Sequence, residues 1–155
     1  MNYVNALSLE KQFRLFGELN HYPMFSFDFP WDVDPEIFDK LRNVVPDYPR
    51  KFGMHFSLGE RDTAITGASC LLACTALMLS APHHKTWGDR YVFTGGVDEE
   101  GKTIPVDGLD AKLTAVSSDQ TVVMPAQSRP EQLYPHVVVV HNMFDLATEW
   151  ERYVR

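Results

Sequence analysis

Few residues of this chain could do chemistry, and two of them have suggestive surroundings. Ser69 opens an apolar segment running from Cys70 to Leu79 with only Thr75 interrupting it, and Lys112 lies between Leu109, Leu113 and Val116. A serine hydroxyl is a poor nucleophile near neutral pH and needs a base within hydrogen-bond reach. Lysine can be that base only as the neutral amine, and burial among apolar groups depresses an amine's pKa in that direction. A serine at the start of a buried helix would also bring backbone N–H groups and the positive end of the helix dipole to a reacting carbonyl, where they can stabilise an oxyanion. Taken singly, each residue has an ordinary reading: Ser69 as a helix N-cap, Lys112 as a surface lysine.

A second motif points elsewhere. Gly96-Val-Asp-Glu-Glu-Gly101-Lys102-Thr103 satisfies the phosphate-loop expression G-x-x-x-x-G-K-[ST]. Asp98, Glu99 and Glu100 would repel a phosphate, and Pro105 follows too soon for the helix that should begin at the lysine. A strand-turn-strand hairpin accounts for the same residues. The cysteines, Cys70 and Cys74, share one helical segment, the pattern of buried reduced thiols rather than a disulfide framework. His83-His84 precede Lys85 in a loop, and no Cys/His spacing completes a metal set, so neither metal nor cofactor is expected. The other histidines, His21, His55, His136 and His141, are scattered.

The elements that must position these groups follow from periodicity. Residues 6–19 carry Leu7, Leu9, Phe13, Leu15 and Phe16 at roughly helical spacing, with Ser8 as N-cap. Phe25, Phe27, Phe29 and Trp31 alternate with Ser26, Asp28, Pro30 and Asp32, which reads as an edge strand with one aromatic face. That face is expected to pack on the domain, with docking of a partner by strand addition as the other use. Asp34-Pro35-Glu36 opens a helix to about Val45, and Val44 to Pro49 breaks the chain. This divides it into an N-terminal extension, 1–49, and a main body, 50–155.

In the body, Lys51–Leu58 reads as a strand, Gly59–Gly67 as a loop and Ser69–Leu79 as a buried helix. Arg90–Thr94 and Lys102–Val106 are expected to pair as a hairpin across the turn at Asp98–Gly101. Leu109–Val116 is a short helix, Thr121–Met124 and His136–Val140 are buried-type strands, and Asn142 caps a helix over Met143–Tyr153. The fold class is α/β (α+β), a mixed sheet with helices packed on it.

Bulk properties exclude several classes. The chain has 155 residues, 45% hydrophobic and 23% charged, so one packed core is affordable and disorder is not indicated. A net charge of −7 argues against nucleic acid as partner. The start, Met1 to Asn5, lacks the basic and apolar regions of a signal peptide, and no apolar run is long enough to span a bilayer. A cytoplasmic setting is the expectation.

Three stretches resemble the proteolytic domain of Lon-type proteases: Thr66-Gly-Ala-Ser69-Cys-Leu-Leu-Ala, Phe93-Thr-Gly-Gly-Val-Asp-Glu-Glu-Gly-Lys-Thr-Ile-Pro-Val106, and Asp107-Gly-Leu-Asp-Ala-Lys112-Leu. Thr121-Val-Val-Met-Pro125 is similar to that family's strand ending in proline, and the likeness spans about residues 52–152. It implies Ser69 as nucleophile, Lys112 as its lysine base and Thr94 as a strand-end hydroxyl that holds the lysine. The family's N-terminal hairpin is not recognisable in this sequence. Thr66 and Gly96 stand where the family has aspartate and glutamate, Ala68 replaces a proline, and Cys70-Leu71 replace Ala-Gly.

Two functions are thereby expected. The first is a serine peptidase that cleaves polypeptides through an acyl-enzyme, with no ATPase motor on this chain and hence a separate ATPase partner or unfolded substrates. The second is a non-catalytic Lon-like module that binds a protein partner or supports assembly. The resemblance also implies a homo-oligomer.

Overall fold

The computed structural model describes residues 2–7, 11–20, 27–28, 53–58, 70–105, 107–128 and 136–154. Seven strands form one mixed sheet in the order β3-β4-β2-β1-β5-β8-β9. They are β1 (Tyr3–Leu7), β2 (Gln12–Asn20), β3 (Phe27–Asp28), β4 (Gly53–Leu58), β5 (Tyr91–Phe93), β8 (Thr121–Pro125) and β9 (Val137–Val140). β2 alone runs against the rest, since it pairs antiparallel with β1 and β4, while β1, β5, β8 and β9 are mutually parallel. A separate pair, β6 (Gly96–Val97) and β7 (Thr103–Ile104), is antiparallel. The described helices are α1 (Leu71–Ser80), α2 (Leu109–Leu113) and α3 (Met143–Val154), with a 3-10 turn at Ala81–His83.

Successive residues of a strand point to opposite faces, and the sheet uses both. Val4, Ala6, Phe13, Leu15, Phe93 and Val123 face α1 and α3 in the larger core. Leu7, Val92, Val122 and Met124 face Leu109, Leu113 and Val116 around α2 in a smaller one. Helix α1 is buried on every side, as its continuous apolar run requires, and it packs on β1, β2 and α3. Its polar side chains turn to the backbone: Thr75 Oγ1 donates to Leu71 O at 2.5 Å, and Ser80 Oγ to Leu77 O at 3.3 Å. Trp87, fully buried, donates its indole N–H to Ala76 O at 2.9 Å and packs edge-on against Phe93.

Two expectations are corrected. The helix over residues 6–19 is the hairpin β1–β2, with Tyr3 opposite Phe16 and Leu7 opposite Gln12. Phe13, Leu15 and Gly17 are buried while Arg14 and Glu18 are exposed, a period of two that the helical count over Leu7, Leu9, Phe13 and Phe16 concealed. An N-terminal hairpin is therefore present, and it lies between β4 and β5 within the sheet. The second correction concerns Arg90–Thr94, which does not pair with Lys102–Val106. β5 enters the main sheet between β1 and β8, and the hairpin forms one step later from β6 and β7. Gly95, at φ +136°, makes the change of direction.

Other elements stand as read. β4, the buried helix, the short α2, β8, β9 and α3 lie where the periodicity put them. Asn142 caps α3 by accepting the N–H of Asp145 at 3.0 Å. Phe27–Asp28 is extended at the sheet edge, as the alternation implied. The aromatic side chains of Phe25 to Trp31, the helix expected from Asp34 to Val45, the loop Gly59–Gly67, Thr66 and Ser69 lie outside the described residues. Among the described residues no helix is long and apolar enough to cross a membrane.

Candidate functional site

The carboxyl ends of β1, β5 and β8 lie at one end of the sheet, because these strands are parallel neighbours. Such ends are where open α/β sheets place their sites. Thr94 and Gly95 follow β5 directly. The Thr94 N–H continues the ladder to Val123 O at 3.1 Å, and the Gly95 carbonyl accepts the N–H of Leu72, in the first turn of α1, at 3.1 Å. The N-terminus of α1 is thus tied to the end of β5. A Cβ on Gly95 would stand 2.5 Å from Cγ and 2.6 Å from Cδ of Pro125, so only glycine lets these backbones meet. The Gly95-Gly96 pair after a strand was the sequence signal for that close approach.

Thr94 is 1% exposed, and its Oγ1 has no hydrogen-bond partner among the described residues. A buried hydroxyl left in that condition costs about 1–3 kcal/mol. Cys70, 3% exposed, takes the N-cap position of α1 without a side-chain cap bond. Its carbonyl accepts the N–H of Cys74 at 3.0 Å, and burial, then the neighbouring Cys70, push the Cys74 thiol well above its ordinary value. No disulfide joins the two.

Lys112 lies on the other face of the sheet, where α2 packs. It sits on α2 with Leu109 and Leu113, at spacings of three and one residues, so helical geometry turns all three to the packed face. Only 5% of the lysine is exposed. Burial lowers its pKa, while the charge of Asp107 and the nearness of Cys70 oppose the shift. No ion pair neutralises it among the described residues. Cys70, the residue that follows Ser69 in the chain, lies within electrostatic range of Lys112. Of the three residues singled out from sequence, Thr94 and Lys112 are both buried, and Ser69 lies outside the described residues.

The phosphate-loop look-alike has a different job. Asp98 Oδ1 accepts the N–H groups of Glu100 and Lys102, each at 2.9 Å, which closes the turn between β6 and β7. Gly101 O then accepts the N–H of Met143 at 2.9 Å, and Thr103 Oγ1 donates to Val140 O at 2.7 Å. The tip is stitched to the start of α3, and Lys102 is exposed and paired with Glu100 at 3.5 Å. No helix begins at Lys102, and Asp98 is a turn-former.

Elsewhere, Asp89 gathers Tyr3, Asn5 and Arg14 at 3.1–3.2 Å, and Asn5, Arg14 and Asp89 line a pocket of about 590 Å³. Hydrogen bonding by Asn5 and the adjacent Arg14 charge keep its carboxyl below the usual range. Sequence reading passed over this group, and over the Gln12–Gln120 contact beside it, because the misassigned helix hid which residues of β1 and β2 share a face. Among the described residues no three His, Cys, Asp or Glu side chains gather to hold a metal ion. In comparison with known proteins, no family model matches this sequence, and no curated protein matches it.

Proposed function

We propose that the chain is a Lon-like serine peptidase that hydrolyses peptide bonds with Ser69 as nucleophile and Lys112 as general base. The observation that carries the reading is the burial of Lys112 on the packed face of α2, with its amine shifted toward the neutral form. A lysine kept out of water, and with no ion-pair partner among the described residues, is costly unless its proton can leave, and that is the property a base needs. The orphan hydroxyl of Thr94 and the position of Cys70 at the start of α1 support the same locus.

In the first half-reaction Lys112 Nζ takes the Ser69 hydroxyl proton as Oγ bonds to the scissile carbonyl carbon. Collapse of the tetrahedral adduct breaks the C–N bond, and the departing amine takes the proton from Lys112. Lys112 Nζ then takes a proton from water as its oxygen attacks the ester carbonyl, and collapse of that adduct breaks the C–Oγ bond, releases the acid and returns the proton from Lys112 to Ser69 Oγ. The first-turn N–H of Leu72 is committed to Gly95, so oxyanion donors must be backbone groups other than it. Neither metal nor cofactor enters these steps. The substrate is a polypeptide in extended form, supplied by a separate ATPase partner or already unfolded, in a cytoplasmic setting, and the resemblance implies a homo-oligomer.

The second reading, a non-catalytic module for partner binding, is favoured by Thr66 and Gly96 in place of acidic residues and by the Asp107 charge, which helps hold the proton on Lys112. A fluorophosphonate probe separates the two. The peptidase acquires one phosphonyl group on Ser69, found by peptide mass spectrometry, and Lys112→Met labels at least about a hundredfold more slowly. An intact, folded protein that takes no label on Ser69 favours the module.

A further inference from the structure

Lys112 is carried by a helix of five residues. A helix that short has almost no stability of its own in water. One anchor is apolar: Leu109, Leu113 and Val116 against Leu7, Val92, Val122 and Met124. The other is polar, and it acts on the turn that ends the helix. There the Ala115 N–H donates to Lys112 O and the Val116 N–H to Leu113 O, both at 3.1 Å. Gln12, at the start of β2, donates from Nε2 to Ala115 O at 2.7 Å and to Gln120 Oε1 at 2.5 Å. Gln120 Nε2 answers to Gln12 Oε1 at 3.1 Å and reaches Asp89 O at 2.9 Å. Gln120 Oε1 also accepts the Ser117 N–H at 3.0 Å.

We propose that the paired carboxamides of Gln12 and Gln120 are a latch that fixes the last turn of α2 and so holds the Lys112 side chain in its buried position, which makes Gln12 a positioning residue for the lysine. The functional weight of the latch rests on the reading of Lys112 as the base. Removing the Gln12 amide takes from the half-buried Ala115 O its side-chain donor and leaves Gln120, 8% exposed, with only Ser117 N–H and Asp89 O as partners. Both glutamines line the 590 Å³ pocket with Asn5, Arg14 and Asp89, and water entering there would replace the lost bonds and loosen the turn. The groups acting electrostatically on Lys112 are Asp107 and Cys70, and neither is touched by the change.

The test reads the Lys112 amine directly, without substrate, in protein carrying ¹³C-labelled lysine, with Lys112→Met assigning the signal. Failure of the latch and failure of the peptidase reading are then separate results. In Gln12→Leu the amine pKa should rise by about half a unit or more toward the ordinary 10.5, as water reaches it. Exchange of the Ala115 and Val116 amides should quicken at least about tenfold. Arg14→Gln, which breaks the neighbouring ion pair with Asp89 but not the latch, should move neither. A Gln12→Leu protein with wild-type pKa and exchange overturns the proposal, as does an equal response from Arg14→Gln. Should Gln12→Leu fail to fold, the wild-type protein decides: Ala115 and Val116 amides must exchange far more slowly than unstructured chain, and rapid exchange there overturns the latch.

Discussion

A lysine with 5% of its surface exposed is an expense the fold must meet, and Lys112 makes that expense measurable. Its folded pKa lies below the ordinary 10.5, so between the two values the unfolded chain holds the extra proton. Stability therefore rises with pH through that window, and the penalty is fully present below the folded value. Lys112→Met, which keeps the length and drops the charge, should stabilise the protein at pH 7 by about 1 kcal/mol, a Tm rise of about 3 °C. The gain should shrink as pH approaches 10.5. Thermal melts at several pH values check it. A loss of stability at pH 7 would mean that the ammonium is well satisfied, and the case for a neutral amine would weaken.

At the scale of elements, the junction from β5 through Gly95 into β6 holds the site together. Gly95→Ala puts a methyl group against the Pro125 ring at a positive φ, and should cost about 2–4 kcal/mol by urea unfolding. Because Gly95 O receives the N–H of Leu72, the same change should loosen the start of α1. Most elements around this junction were legible in the sequence. The apolar run of α1, the acidic turn and the Asn142 cap each carry a local signal strong enough to decide structure. The N-terminal hairpin was not, since Leu7, Phe13 and Phe16 fit helical spacing while burial follows the alternation of Phe13, Leu15 and Gly17. Pairing of β5 with β1 across the chain was equally hidden, because a long-range parallel partner leaves no mark on its own segment. The Asp89 cluster and the glutamine latch depend on that pairing and could not be seen without it.

For the molecule as a whole, β1 and β2 sit between β4 and β5, so the N-terminal segment is part of the sheet's continuity. A chain beginning at residue 50 should fail to fold cooperatively, seen as loss of a sigmoidal thermal transition by circular dichroism, because two central strands and their share of the larger core are gone. Gly17 shows how closely that hairpin is fitted, for a Cβ there would lie 2.8 Å from Met54 Cε and 3.1 Å from Leu77 Cδ1 of α1. The central claim, that Ser69 and Lys112 act as one unit, is tested most directly by cleavage of an unstructured polypeptide by the intact protein across pH. The account predicts activity that rises with pH as the Lys112 amine loses its proton. It also predicts that folded Ser69→Ala and Lys112→Arg each lose about a thousandfold or more of that activity, because members of a catalytic unit fail together and a guanidinium cannot serve as base. A folded Ser69→Ala protein that cleaves as fast as the wild type would contradict it.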